Sequence, residues 1–162
     1  MLSIVIPTLN AESELPATLE CLSHTGFASE IIVADGGSND ATPAIAADAG
    51  AKFTATLGGR GAQMAAAAMY ATGDWLLFLH ADTRPQPGWH HAVNGFMADP
   101  QNRFRAAYFI FALNDPAPGA RRLEALVRCI ERVRVIQVNV RRWLSDWAHR
   151  LWWLVVLVSF PG

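Results

Sequence analysis

The sequence predicts an α/β fold in which helices flank a mostly parallel sheet, and three observations carry that expectation. Short apolar runs alternate with helix-like segments through about the first 113 residues, at the spacing of strand–helix–strand units. The runs are nearly continuous in Val, Ile, Leu and Phe, as strands covered on both faces require. Polar residues collect just after them: Thr8 and Asn10, then Asp35, then Asp82. Ligands of such sheets bind beyond the carboxyl ends of the strands, so these residues predict one site assembled from three strands.

Taken in order, LSIVIP from Leu2 to Pro7 is the first buried strand. Asn10 is placed to cap the helix that follows, with Leu15, Leu19 and Leu22 at i, i+4 and i+7 as its buried stripe. Pro16 fits the first turn, where backbone N–H groups lack helical partners, and Gly26 ends the helix. EIIVADGG, residues 30–37, is a second strand running into a glycine-rich turn. Thr42 and Pro43 start a helix as cap and first helical residue, and Gly50 stops it. AKFTAT, residues 51–56, is the third strand; GAQMAAAAMYATG, residues 61–73, is an alanine-rich helix ending at Gly73. WLLFLHAD, residues 75–82, is the fourth strand. QPGWHHAVNGFMAD, residues 86–99, holds another helix, and RAAYFIFAL, residues 105–113, another strand.

The chain has 162 residues, is 52% hydrophobic and 17% charged, and can bury a sizeable core, which excludes a disordered chain. Its net charge of −1 gives no reason to expect nucleic-acid binding. The charge is unevenly spread, however. Residues 1–100 carry three Lys/Arg against ten Asp/Glu, and residues 101–162 carry ten against four, which suggests a basic surface facing phosphate or membrane. Cys21 and Cys129 form no CxxC pattern and read as buried, reduced residues of a cytoplasmic protein. The amino terminus lacks the basic region of a signal peptide. The longest apolar run, ending at Phe160, is about half the roughly 20 residues that a membrane-spanning helix needs.

Three segments are expected: a core over residues 1–115, an amphipathic helix within 116–133, and an atypical tail over 134–162. The helix would run from Pro118 to Val133, with Leu123, Leu126, Val127, Ile130 and Val133 on one side and arginines opposite. The tail holds four of the six tryptophans and a single carboxylate.

Several residues have a chemical reading of their own. Gly36 and Gly37 let the backbone come close to a ligand beside Asp35; Asp35 alone is equally a turn former. Arg60, in GGRG at the opening of a helix whose N-terminal N–H groups favour anions, reads as a phosphate ligand or as a solvated loop arginine. Adjacent helical residues point about 100° apart, so His90 and His91 cannot chelate one ion together. Neither GxGxxG nor GxxxxGK[ST] occurs, so dinucleotide and P-loop readings fail.

The segments SIVIPTLN, EIIVADGGSNDAT and GDWLLFLHADT, in this order, resemble the successive signatures of the family 2 glycosyltransferases, and GGRGAQM with LHADT resembles one bacterial branch of that family. The resemblance covers about residues 2–113 and implies a Rossmann-like GT-A nucleotide-sugar-binding domain, with Mg²⁺ or Mn²⁺ as cofactor and a nucleotide-diphosphate sugar, UDP-linked, as partner. It assigns the Asp35 carboxylate to the uracil-type base of the donor and places Pro7, Thr8 and Glu12 in the first nucleotide-contacting segment. Glu12 on its own is equally a first-turn residue favoured by the helix dipole. Gln63 matches the branch pattern and lines the donor site, whereas Ala65 and Ala67 stand where the branch has asparagine and glycine. The fourth strand of such folds ends in Asp-x-Asp, whose second acid meets the metal. Here the pattern reads His80-Ala81-Asp82, which leaves Asp82 as the metal ligand and His80 as a donor or metal contact, or a structural histidine. One carboxylate can suffice, since Mg²⁺ completes its shell with water and substrate phosphates.

The resemblance also implies features this chain lacks: a Gly-Asp-Gln segment, a Gly-Gly-Phe segment, and a Glu-Asp pair carrying the general base for an inverting displacement. Asp115 and Asp146 lie in no matching context, so no general base is assigned. The tail is read in two ways. It is an amphipathic helix, with Trp143, Trp147, Leu151, Leu154 and Val158 on one side and Arg141, Arg142 and Arg150 facing lipid at the inner face of the membrane; or, the favoured expectation, the chain is a truncated or frame-shifted copy. The functional expectation is a metal-dependent, inverting glycosyltransferase acting on an unknown acceptor, crippled where the acceptor region is missing. The alternative is a non-catalytic nucleotide-sugar-binding or membrane-peripheral module. A sugar-phosphate nucleotidyltransferase would need a Gly-rich, basic loop after the first strand, and PTLNAESE has neither.

Overall fold

The computed structural model describes residues 1–23, 26, 29–109 and the backbone of 156–159. Its elements are β1 (Leu2–Thr8), α1 (Leu15–Leu22), β2 (Ser29–Asp35), α2 (Thr42–Asp48), β3 (Lys52–Ala55), α3 (Arg60–Tyr70), β4 (Trp75–Phe78), α4 (Trp89–Ala98), a 3₁₀ turn (Pro100–Asn102), β5 (Ala106–Tyr108) and β6 (Val156–Ser159). They build one sheet of order β3-β2-β1-β4-β6-β5. The first four strands run parallel, and β6 runs against both β4 and β5.

The alternation of side chains along β1 divides the core into two layers. Leu2, Ile4 and Ile6 face α1 and α4, where Leu15, Leu19, Leu22, Trp89 and Val93 close over them together with Leu77 and Leu79. Val5 points the other way, with Ile32, Ala34, Leu76 and Phe78, onto Met64, Ala67 and Ala68 of α3. Alanine suits α3 for this reason: small side chains let the helix lie close to the sheet. The α/β expectation therefore holds, with helices on both faces.

Several boundaries differ from the sequence reading. Asn10 caps nothing; it adopts a left-handed φ of 50°, tolerable for Asn, and α1 starts only at Leu15. β4 stops at Phe78, so His80 to Asp82 lie beyond the strand rather than in it. α3 ends at Tyr70, and Gly73 serves a close approach instead: a Cβ there would lie 2.7 Å from Ser3 Oγ and 2.8 Å from Met1 O. Cys21 is exposed, not buried, because it falls off the Leu15–Leu19–Leu22 stripe. Most surprisingly, residues 156–159 of the tail are a strand. Val156, Leu157 and Val158 favour extended backbone, and the outer edge of β4 offers unpaired N–H and C=O groups, so a helix face through Val158 is not formed. The expected helix from Pro118 to Val133, Cys129, Asp115, Asp146 and the rest of the tail lie outside the described residues. Among the described residues no helix is long and apolar enough to cross a membrane.

The amino-terminal edge of the sheet is fastened by Glu30. Its carboxylate accepts from Ser3 Oγ, Lys52 Nζ, Thr72 N and Thr72 Oγ1, joining β1, β2, β3 and the chain leading into β4. Burial alone would raise its pKa, but these hydrogen bonds outweigh burial and bring it from 4.5 to about 2. A carboxyl depressed in the folded state stabilises fully above its unfolded pKa and loses that contribution as pH falls. The loss should run from pH 4.5 to about pH 2, and amounts to about 3 kcal/mol at most, less because Lys52 is half in water. Urea unfolding across that range should show the decline, and Glu30→Gln should flatten it.

Candidate functional site

β1, β2 and β4 deliver their carboxyl ends to one edge of the sheet. Thr8 and Asp35 are in-register partners at the ends of β1 and β2. Past the end of β4, Leu79 N still donates to Val5 O at 2.9 Å, so the chain carrying Asp82 leaves the sheet on this same edge. With β1 between them, the tips of β2 and β4 lie two strand spacings apart, roughly 10 Å.

Besides Glu14, which pairs with Arg84, four carboxylates occupy this edge, and three of these accept internal hydrogen bonds. Asp35 is 2% exposed. It accepts from Thr8 Oγ1 (2.9 Å), Ser38 Oγ (2.5 Å), Ser38 N (2.7 Å) and Gly37 N (2.9 Å). Burial would raise its pKa, yet the Ser38, Thr8 and Gly37 donors together hold it below the usual carboxylate value. A carboxylate offers about four acceptor positions, and these donors fill them. These bonds make Asp35 the organiser of the Gly36–Gly37 turn. Glu12 is likewise engaged: its Oε2 accepts from Ala41 N at 2.9 Å, and its own N–H donates to Asp40 Oδ2 at 3.0 Å. It precedes α1 and is not a first-turn residue. Asp40 also receives Thr42 N at 3.0 Å.

These bonds belong to a reciprocal zipper between residues 10–12 and 38–42. Asn10 N donates to Ser38 Oγ, Asn39 N to Asn10 Oδ1, and Ala11 N to Thr42 Oγ1. The sequence reading missed it, although the small polar run after the glycines, SNDAT, carries the turn-forming residue types that signal it. Thr42 is therefore tied to the β1 loop as well as starting α2.

Thr8, Gly36 and Gln63 form the next unit. Thr8 is 3% exposed, and its carbonyl accepts from Gly36 N at 2.9 Å and Gln63 Nε2 at 3.1 Å. Gln63, 4% exposed on α3, lies where any side chain at position 36 would have to go: a Cβ on Gly36 would meet Gln63 Nε2 at 2.2 Å. Glycine is needed at 36 for room, not for its φ. The pair clamps the start of α3 to the tips of β1 and β2. Pro7 is buried in β1 beneath this edge.

Facing them, Arg60 stands exposed as the first residue of α3, and His80 and Asp82 follow β4. His80 is half-buried. Burial, and then the nearby Arg60 charge, push its pKa below 6.5, against a smaller upward pull from Asp82. The imidazole is therefore neutral near pH 7, with a cation and a carboxylate within electrostatic reach. Asp82 differs from the other three acids. It is exposed, and among the described residues it makes no hydrogen bond or ion pair. Also among the described residues, no three His, Cys, Asp or Glu side chains gather as a metal group; the His90 and His91 rings lie 4.2 Å apart, tilted at 47°. A hard, unpaired carboxylate beside an uncharged imidazole suits a Mg²⁺ or Mn²⁺ ion that takes most of its shell from phosphates and water.

A doubly covered, mostly parallel sheet with its polar groups at the strand tips defines a GT-A-like α/β domain, and solved structures agree. Glucosyl-3-phosphoglycerate synthase from Mycobacterium tuberculosis, in complex with Mn²⁺, UDP and phosphoglyceric acid, aligns over 98% of this chain and 55% of its own, with TM-score 0.64 and 20% identity. S. aureus TarS 1-349 aligns over 72% and 37%, with TM-score 0.60 and 20% identity. The family described as glycosyl transferase family 2 matches residues 3–122, and the chain belongs to that family. A 4,4'-diaponeurosporenoate glycosyltransferase from Staphylococcus haemolyticus (strain JCSC1435) is 36% identical over 89 residues, 50% of this chain and 24% of that protein. The chain thus spans between a quarter and about half the length of these relatives.

The Gly36–Gln63 fit yields a non-additive pair. Gly36→Ala should displace Gln63 and cost about 1–2 kcal/mol through the lost bond to Thr8 O. In a Gln63→Ala background the same change should cost much less, and a double-mutant cycle by urea unfolding reads the difference.

Proposed function

We propose that this chain binds a nucleotide-diphosphate sugar, UDP-linked, at the carboxyl edge of β1, β2 and β4, as the donor half of a sugar-transfer reaction. The observation that carries this is the division of labour among these acids: internal donors fill Asp35, Glu12 and Asp40 accept backbone N–H groups, and Asp82 is exposed and, among the described residues, makes no hydrogen bond or ion pair. Solved relatives with UDP-GlcNAc or with Mn²⁺ and UDP support the ligand class.

In this reading the Gly36–Gly37 turn presents backbone to the nucleoside, which explains why its walls are glycine and its carboxylate faces inward. Asp35, Thr8 and Glu12 shape that turn. Arg60 faces the diphosphate, and Asp82 holds Mg²⁺ or Mn²⁺ against it. When bound, the cation offsets the negative charge that grows on the diphosphate as its bond to the sugar breaks. Neutral His80 lies within electrostatic reach of both Arg60 and Asp82 and adds no charge to the site. The reaction is a direct, inverting displacement in which the acceptor oxygen takes the sugar's anomeric carbon. The proton passes to a base outside the described residues.

Calorimetric titration of UDP with and without MnCl₂ tests the assignment. Wild type should bind UDP more tightly with Mn²⁺, and Asp82→Ala should lose that gain while keeping its metal-free affinity. Equal behaviour of the two proteins, or no UDP binding by wild type, contradicts it.

A further inference from the structure

Thr18 sits in the middle of α1 with 0% of its surface exposed, a buried hydroxyl on a helix otherwise packed through leucines. Such a group must find partners, and Thr18 finds them in the loop that carries Asp82. Its Oγ1 contacts the carbonyl oxygen of Ala81, and Arg84 Nη1 lies 2.6 Å from Thr18 Oγ1 itself. The chemistry fixes the direction of both bonds. A guanidinium only donates and a carbonyl only accepts, so the hydroxyl receives from Arg84 and gives its proton to Ala81. The helix's own Glu14 carbonyl, at 3.4 Å, is the poorer acceptor. Arg84 is held in turn by Glu14 Oε2, 3.3 Å from Nη2.

We infer that Thr18 is the positioning residue for Asp82. This rests on the reading of Asp82 as the cation-holding carboxylate, and it concerns how that carboxylate is aimed. Residues 80–83 form a turn, with Thr83 N donating to His80 O at 3.1 Å and Asp82 next to its far end. The Ala81 carbonyl and the Asp82 N–H share one rigid peptide plane. Pinning the carbonyl fixes that plane, and with it the direction from which the Asp82 side chain leaves the backbone. The anchor is stiff, because Leu15, Leu19 and Leu22 of α1 lie in the same core cluster as Leu79 and Trp89, on either side of the turn. Among the described residues Asp82 has no bond of its own, so the orientation comes from the peptide before it.

The test uses the full chain, with UDP titrated calorimetrically in the presence and absence of MnCl₂. Thr18→Val removes the hydroxyl at constant shape. It should leave metal-free UDP affinity unchanged and cut the Mn²⁺-dependent gain by about tenfold, the scale of a lost outer-shell partner. Thr18→Ser should retain the gain. A full gain in Thr18→Val, where Asp82→Ala has none, overturns the inference and leaves the role of Asp82 standing. An equal loss in Thr18→Ser also overturns it, since packing rather than the hydroxyl would then be responsible. A full gain in Asp82→Ala removes the metal reading itself. If Thr18→Val does not fold, Arg84→Met decides: a smaller loss of the gain in the same direction supports the inference, and an unchanged gain overturns it.

Discussion

A carboxylate buried at the end of a strand must be satisfied from inside the protein, and the way Asp35 meets that demand organises the whole carboxyl edge of the sheet. The donors come from β1 (Thr8) and from the two residues after Gly36. To supply them, the chain must turn sharply at Gly36 and Gly37, and Gly37 takes a φ of 97° to do so. That turn brings Ser38 to Asn10 and starts the zipper that ends at Thr42. It also leaves the space above Gly36 that Gln63 fills. An unpaired buried carboxylate would cost several kcal/mol, so this arrangement is as rigid as the core below it.

The opposite edge solves the same problem with the same means. Glu30 draws donors from β1, β3 and the approach to β4, as Asp35 draws them from β1 and its own turn. Between them the two acids lock β1 and β2 at both ends. The sheet is thereby a fixed platform, and the segment after β4 presents the exposed Asp82 from it. Functional groups on a loop held by a rigid scaffold follow the usual division.

The sequence made the layers and the site's location legible because both follow from periodicity. Continuous apolar runs foretold strands covered on two faces, and polar residues at their ends foretold one shared edge. What was not legible was which acid does what. Asp35, Glu12 and Asp82 look alike in a string of letters, and resemblance assigned the first two to the donor and the third to the metal. Only the donor atoms around each separate them, and those come from Thr8, Ser38 and Ala41, residues with no signal of their own beyond small size and polarity. The strand at Val156–Ser159 was hidden for a different reason. Its pairing with β4 spans about eighty residues, and no local pattern announces a contact of that range.

The contrast between Asp35 and Asp82 also explains why the two acids sit where they do. Each follows a parallel strand on the same edge, yet β2 is followed at once by glycines and β4 by a leucine and a histidine. Glycines let backbone N–H groups fold back onto Asp35 and saturate it. Leu79 instead continues the core, and His80 is half-buried, so the chain runs on and Asp82 reaches the surface, where no donor among the described residues meets it. Among the described residues, what holds the peptide plane before it is Thr18 of α1, which packs on the same face of the sheet as Leu77 and Leu79. A carboxylate kept free of internal donors but aimed through its backbone is well suited to take a cation from solvent, because nothing has to be broken before the cation binds.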